Sequence, residues 1–152
     1  MAAYIWNANP AKWNVVPPAS NSYDALRAYV TDHSGFVYWS TPVHQSNIHV
    51  GDAAFIWRTQ YRGLLNGIIA IGYVEEHPRD LSSGSNNFTY PNRLIAAGWN
   101  ESTSPSSWKT GIRILATFWD APLQAPIKPS QGTLRALTDD EVKQVGPFLS
   151  PP

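Results

Sequence analysis

The chain has 152 residues, of which 43% are hydrophobic and 14% charged, a composition typical of one globular domain rather than a disordered segment. Eleven Lys and Arg residues balance eleven Asp and Glu residues, whereas a protein that holds nucleic acid mainly through phosphates would be basic. The absence of cysteine excludes disulfides, thiolate catalysis and cysteine-ligated zinc.

The first predicted elements are a strand and a helix. Ala2–Trp6 predicts a strand that ends at a turn containing Asn7 and Asn9. Apolar residues at helical spacing predict an amphipathic helix over Ser22–His33, which Gly35 ends. The opening residues carry no basic segment and too short an apolar run for a signal peptide or a membrane span, so we expect a cytoplasmic protein.

The middle of the chain predicts three strands. They are FVYWS at residues 36–40, AAFIW at residues 53–57 and the strongly apolar segment Gly67–Glu76. Gly72 interrupts the third strand, which predicts a bulge or the close approach of another backbone.

Long polar segments dominate the second half. Residues 77–109 are rich in Ser, Asn, Pro and Gly and predict loops, which are often functional when they are this long. Gly111–Trp119 predicts a further strand. Leu137–Val145 predicts a helix that begins with a capping box formed by Thr138 and Glu141.

Short strands with two peripheral helices and no regular alternation of the two predict an α+β fold, with the strands in a small, partly open β-barrel. One domain is expected over residues 1–146. The Pro-rich residues 147–152 are typical of a linker and predict that a further domain follows.

The sequence carries no recognisable catalytic motif. His44 and His49 lie five residues apart without the HExxH or HxE spacing of a metal site. Glu75, Glu76 and His77 are more typical of a polar strand end than of an acid–base pair. No glycine-rich phosphate loop and no GxSxG motif is present. We therefore expect a binding domain without catalytic residues, bound metal or cofactor.

Six of the seven tryptophans, all but Trp13, divide by their neighbours in the sequence. Three have apolar neighbours in predicted strands, which favours core packing: Trp6, Trp57 and Trp119. Trp39, Trp99 and Trp108 instead lie beside Ser, Thr, Asn or Gly, at strand ends or in polar segments. Polar neighbours suit a pocket for a flat ligand, and packing in the core is an equal alternative for each of these three rings.

The order of these motifs resembles that of the EVE domain family, part of the PUA-like superfamily. The resemblance rests on YIWNANPAKW, VYWS, VGDAAFIW, GIIAIGYV, GIRI and LTDDEV, and it covers most of the chain. It implies a PUA-like, partly open β-barrel of five to six strands with peripheral helices. EVE domains occur in prokaryotes, some of them ahead of HNH-type nucleases that cut DNA carrying modified cytosine.

The EVE family is related to the YTH domains, which capture N6-methyladenine in RNA with an aromatic cage. The YTH pattern has a Trp-Ser pair after the first helix, two further cage walls near the last long strand and an asparagine after the first strand. The resemblance implies a modified-base site at Trp39, Trp99 and Trp108, with Tyr90 as a stand-in for the second wall, and base-edge contacts from Asn9, Asn7, Ser40 and Thr41.

The resemblance implies a reader of 5-methylcytosine or 5-hydroxymethylcytosine in double-stranded DNA, which flips the base into this cage. Such a reader would be the specificity module of a modification-dependent restriction system with a linked HNH nuclease domain. Five residues in the predicted loops are candidates for contacts with the nucleic-acid backbone: Arg58, Gln60, Arg62, Arg93 and Lys109. Ordinary solvated loop residues are an equal alternative for this group.

Two other functions stay open. Single-stranded RNA presents unstacked bases, so the same cage could serve an RNA-binding module of YTH or PUA type that reads N6-methyladenine or another modification. The other alternative is a structural or protein-interaction domain whose tryptophans all pack in the core. Binding of matched modified and unmodified DNA and RNA oligonucleotides separates these functions.

Overall fold

The described part of the protein is a six-stranded sheet followed by a helix. The computed structural model describes residues 2–8, 27, 31, 35–58, 65–92, 108–124, 127 and 134–149. In these ranges the strands are β1 (Ala3–Ala8), β2 (Phe36–Ser40), β3 (Ala53–Arg58), β4 (Gly67–Asp80), β5 (Trp108–Thr117) and β6 (Leu134–Ala136). Short 3-10 turns at Leu81–Ser83 and Ser85–Asn87 follow β4, and an α-helix spans Asp139–Leu149.

The strand order in the sheet is β2-β5-β4-β3-β1-β6. β1 runs parallel to β3, and the other neighbouring pairs are antiparallel. Because β2 and β6 lie at opposite ends of the order, the sheet is not closed within the described residues. This mixed, open sheet with its helix confirms the predicted α+β fold with a partly open barrel.

Side-chain alternation along the strands produces two hydrophobic clusters. Tyr4 and Trp6 of β1 belong to the first cluster, whereas Ala3 and Ile5 belong to the second. The first cluster also contains Trp39 from β2. The sheet is therefore covered on both faces, which explains why most residues of β2, β3 and β4 are buried.

Two strands continue further than the sequence predicts. β1 runs through Asn7, which pairs with Trp57 of β3, so the predicted turn at Asn7 is wrong. β4 runs past Glu76 into the segment that was expected to be a loop. Its register with β5 shifts between Glu76 and Arg79, and Pro78 is accommodated at this irregularity because a proline cannot donate to a regular ladder.

β5 and β6 also differ from the prediction. β5 begins at Trp108 rather than Gly111, because residues 108–110 are paired with β4 or β2. It ends at Thr117, and Trp119 lies beyond it, partly buried against the first cluster. β6 was not predicted. It has three residues, and its pairing with β1 defines it.

The helix near the end of the chain begins with the predicted capping box. The backbone N–H of Glu141 donates to Thr138 Oγ1 at 3.2 Å, and the backbone N–H of Thr138 donates to Glu141 Oε1 at 2.9 Å. The helix continues past Val145 to Leu149 and contains Pro147, so it occupies part of the segment expected to be a linker. None of the described helical segments is long and apolar enough to cross a membrane.

Most of the predicted helix over Ser22–His33 lies outside the described residues. Arg27 and Thr31 are described and are both helical. Thr31 Oγ1 donates to the Arg27 carbonyl at 2.8 Å, and Arg27 forms an exposed ion pair with Asp120 at 3.6 Å.

Gly72 lies where the backbone of β5 leaves no room for a side chain. A Cβ at this position would be 1.8 Å from the Arg113 carbonyl oxygen, and the β4–β5 register shifts between Ile71 and Gly72. The bulge or close approach predicted from the sequence is confirmed. We expect Gly72→Ala to lower the free energy of unfolding by about 3 kcal/mol, because the two backbones must separate. Urea unfolding measures this change.

Ala116→Ser is the matched control for Gly72→Ala. Ala116 is exposed on β5 and pairs with Ile71, next to the same irregularity. A surface change of this kind should alter the free energy of unfolding by less than ~0.5 kcal/mol. Equal effects of the two substitutions would show that the close approach at Gly72 is not a constraint.

Glu141 also joins the helix to β6. Arg135 Nη1 and Nη2 donate to its two carboxylate oxygens at 2.7 and 2.8 Å. These bonds, with those from Thr138, lower the pKa of Glu141 from 4.5 to about 2. Because the folded pKa is lowered, the stabilisation is fully present above pH 4.5 and is lost as the pH falls through about 2.

We expect Glu141→Gln to lower the free energy of unfolding at pH 7 by ~1 kcal/mol, since glutamine keeps the cap but loses the charged pair with Arg135. The difference from the wild type should shrink as the pH falls from 4.5 to about 2. Urea unfolding at pH 7, 4 and 2 measures it. A difference that stays constant over this pH range would show that the pKa of Glu141 is not lowered by its bonds in the folded protein.

Candidate functional site

The register between β2 and β5 brings two of the predicted cage tryptophans onto one face of the sheet. Trp39 pairs with Thr110, and Trp108 lies two residues before Thr110 on the same strand. The Thr41 backbone N–H donates to the Trp108 carbonyl at 2.8 Å, so the pairing continues one residue beyond β2. Trp39 and Trp108 are therefore diagonal neighbours on one face, a separation that large rings can bridge.

The two tryptophans differ in exposure. Trp39 is 4% exposed and packs within the first hydrophobic cluster, whereas Trp108 is only partly buried. Core packing therefore describes Trp39 in this structure. Trp108 is the ring of the pair that a ligand can approach from outside.

Two hydroxyl groups lie on the same face as these rings. Thr41 Oγ1 donates to the Trp39 carbonyl at 3.1 Å and is also hydrogen-bonded to Thr110 Oγ1. Both threonines are fully buried. The face thus combines two indole rings with hydroxyls that have defined partners, a combination that suits a flat, polar ligand.

Ser40 and Lys109 lie on the opposite face of the same strand pair. They are register partners, and Lys109 Nζ donates to Ser40 Oγ at 3.3 Å. The Lys109 side chain is fully buried, and this burial lowers its pKa to about 8. Lys109 is in a strand and not in the predicted loop. Its contact with a nucleic-acid backbone stays a prediction, which would require its ammonium group to become accessible.

A buried carboxylate organises the chain near Tyr90. Tyr38 Oη donates to Glu76 Oε2 at 2.5 Å, and the Thr89 backbone N–H donates to Glu76 Oε1 at 2.9 Å. The Tyr90 backbone N–H donates to Tyr38 Oη at 3.1 Å, and the Tyr90 ring lies edge-on to Phe36 at 5.0 Å. The structure therefore places Tyr90 against the Phe36 and Tyr38 side of β2, since these residues alternate with Trp39.

Two other predicted residues lie elsewhere in the sheet. Arg58 ends β3 and is buried, so its predicted loop position is wrong. Its Nε and Nη1 donate at 2.8 Å to the carbonyls of Leu65 and Trp119. Asn7 is in β1, and three strands lie between β1 and β2 in the sheet order. Strand pairing therefore does not bring Asn7 beside Trp39.

Five of the predicted site residues lie outside the described ranges: Asn9, Gln60, Arg62, Arg93 and Trp99. Their roles stay predictions. In the described ranges, no group of three or more His, Asp or Glu side chains could hold a metal ion.

Sequence reasoning missed Thr110 and Tyr38, and it interpreted Glu76 as part of a polar strand end. Thr110 was not singled out because β5 was expected to begin at Gly111. Had the strand been extended to Trp108, alternation would have placed Thr110 and Trp108 on one face. The Tyr38–Glu76 bond joins residues 38 positions apart, and no local pattern signals it.

Several solved structures share the fold of this chain. The human THYN1 protein, crystallised in complex with 5-methylcytosine-containing DNA, aligns over 100% of both chains with a TM-score of 0.57 and 10% identity. A Pseudomonas syringae protein aligns over 97% of this chain and 99% of its own, with a TM-score of 0.54 and 12% identity. A hypothetical protein from Leishmania major aligns over 97% and 94%, with a TM-score of 0.53 and 11% identity.

No protein-family model matches the sequence, and no curated protein matches it at a significant level. At 10–12% identity, the likeness to solved structures establishes a shared fold. It carries no residue assignments, so those come from the geometry of the strand pair itself.

The lowered pKa of Lys109 has a measurable consequence for stability. Because its folded pKa of about 8 lies below 10.5, the unfolded chain binds more protons between these values. The free energy of unfolding of the wild type should therefore rise, relative to Lys109→Met, by on the order of 1–3 kcal/mol as the pH increases through this window. Urea unfolding at pH 7, 8.5 and 10 measures the difference.

Lys143→Met makes the same chemical change at an exposed position of the helix. This control should show no comparable pH-dependent difference from the wild type. If the Lys109 variant behaves like the control, the Lys109 ammonium is not desolvated in the folded protein.

Proposed function

We propose that this protein is a reader of modified bases in DNA that binds 5-methylcytosine or 5-hydroxymethylcytosine by flipping the base out of the duplex. The observation that carries the proposal is the placement of Trp39 and Trp108 as diagonal neighbours on one face, beside the Thr41 and Thr110 hydroxyls. The proposal is further supported by the shared fold with THYN1, whose crystal structure contains 5-methylcytosine DNA.

The energetics of such a site depend on stacking. Extruding a base from the duplex costs a few kcal/mol, and stacking on an aromatic side chain returns ~1–3 kcal/mol per base. Burying the 5-methyl group contributes about 1 kcal/mol more. Hydrogen bonds to the base edge must then supply the rest of the preference for the modified base over other bases. Hydroxyl groups on the same face as the rings could make such bonds.

The charge balance fits a site of this kind. The chain has a formal net charge of zero, so counterion release can supply only part of the affinity. A reader with this charge depends more on its base pocket than on phosphate contacts. We expect its binding to fall less steeply with salt than that of a strongly basic DNA-binding protein.

Within the same proposal, the protein is an EVE-type binding domain and not an enzyme. It would act in the cytoplasm of a prokaryote as the specificity module of a modification-dependent restriction system, joined to an HNH nuclease that cuts the DNA. The cutting chemistry would then belong to the linked nuclease.

The test is binding to matched duplexes that differ only in one modified cytosine. We expect the wild type to prefer the modified duplex, and Trp108→Ala to weaken this binding about 5- to 100-fold through the lost stacking. Trp108→Phe should retain most of the affinity. Leu115→Ala is the control, because Leu115 lies on the same strand and is 68% exposed. Fluorescence anisotropy at fixed salt measures all four proteins.

Other outcomes would identify the alternatives. Preference for single-stranded RNA carrying N6-methyladenine would assign the site to RNA. If no modified oligonucleotide binds and Trp108→Ala only lowers stability, the tryptophans serve the core and the proposal is wrong.

A further inference from the structure

Thr110 occupies a specific position between the two tryptophans. It is the register partner of Trp39 and lies two residues after Trp108, so its side chain shares their face. Its hydroxyl contacts Thr41 Oγ1, which confirms this orientation. Trp39 and Thr110 are both buried, so a base stacked on Trp108 must displace what covers them before its edge can reach the Thr110 hydroxyl.

The hydrogen bonds of Thr41 determine which way the Thr110 hydroxyl points. A threonine hydroxyl has one proton to donate and two lone pairs. Thr41 uses its proton on the Trp39 carbonyl, at 3.1 Å. With the Thr41 proton on the Trp39 carbonyl, the bond between the two threonines takes its proton from Thr110.

Thr110 Oγ1 is consequently left as an acceptor. Thr110 is fully buried, and its hydroxyl receives no hydrogen bond from any of the residues that the structure describes. Buried polar groups normally have their hydrogen-bonding capacity satisfied. An acceptor that no described residue uses, on the same face as two indole rings, is suited to a ligand that brings a donor.

We propose that Thr110 is the specificity-determining residue that accepts a hydrogen bond from the exocyclic amino group of the captured base. The site would then take amino-bearing bases, such as cytosine with its N4 amino group, and reject keto bases such as thymine, which present an oxygen there. This inference rests on the proposed function, because it concerns the edge of a base held at that site.

A keto base can be accommodated only by reversing the hydroxyl chain. For Thr110 to donate to a keto oxygen, it must release Thr41 Oγ1, and Thr41 cannot replace that bond without leaving the Trp39 carbonyl. Either change loses one buried hydrogen bond. The expected discrimination is therefore about tenfold.

Thymine and 5-methylcytosine make the sharpest comparison. Both carry the 5-methyl group and stack similarly, and they differ at position 4 and in the adjacent ring nitrogen. Each is placed opposite guanine in the same duplex. The T·G mismatch opens more easily than the 5-methylcytosine pair, so any preference for 5-methylcytosine arises despite the lower cost of flipping thymine.

We expect the wild type to bind the 5-methylcytosine duplex about tenfold more tightly than the T·G duplex. Thr110→Val keeps the side-chain shape but removes the acceptor, so it should reduce this ratio to near one. Thr110→Ser retains the acceptor and should keep the preference. Thermal unfolding of both variants checks that they are folded. If Thr110→Val does not fold, the ratio of the wild-type affinities for the 5-methylcytosine and T·G duplexes still tests the proposal.

The outcomes separate this inference from the proposed function. Equal wild-type binding of the two duplexes, or an unchanged ratio in folded Thr110→Val, overturns the role of Thr110 while leaving the modified-base reader intact. Failure of the wild type to prefer 5-methylcytosine over cytosine overturns the proposed function, and the inference with it.

Discussion

The pairing register of β2 with β5 is the constraint on which the candidate site depends. On one face Thr41 is hydrogen-bonded to Thr110 of β5, and on the other Tyr38 reaches past β5 to Glu76 of β4. Gly111 pairs with Tyr38 and makes room for this second bond, because a Cβ there would lie 2.7 Å from Glu76 Cβ. Since side chains alternate with a period of two, a slip of one residue between β2 and β5 would place the two indole rings on opposite faces.

The two faces of this strand pair have different chemistry. One carries the rings and the threonine hydroxyls, while the other carries the buried ammonium of Lys109 against Ser40. Burial disfavours the charged form of Lys109 and lowers its pKa to about 8, so this second face holds a desolvated ammonium at neutral pH. The hydrogen bond from Lys109 to Ser40 joins the end of β2 to the start of β5 on this second face. Such a bond helps to keep the strand pair, and with it the first face, in one arrangement, as a preorganised binding surface requires.

Local patterns predicted much of this fold but little of its side-chain arrangement. β2, β3 and β4 could be recognised by their apolar runs, Gly72 by its place in a strand, and the capping box by its spacing. The start of β5 could not be recognised in this way, because polar residues such as Lys109 belong to the strand only through pairing with distant segments. The burial of Arg58 could not be predicted locally either, because its guanidinium donates a hydrogen bond to the Trp119 carbonyl, 61 residues away. Sequence reasoning therefore proposed surface contacts for charged side chains that the structure buries.

The position of β1 between β3 and β6 has a consequence for how the protein is made. Tyr4 pairs with Ala54 of β3 on one side and with Ala136 of β6 on the other, so β1 joins two strands that are far apart in the sequence. During synthesis, β1 leaves the ribosome long before β6 exists. The sheet can be completed only after β6 has emerged, and such non-local pairing slows folding. Nascent molecules thus expose an unfinished β1 edge, and chaperones have time to act on it.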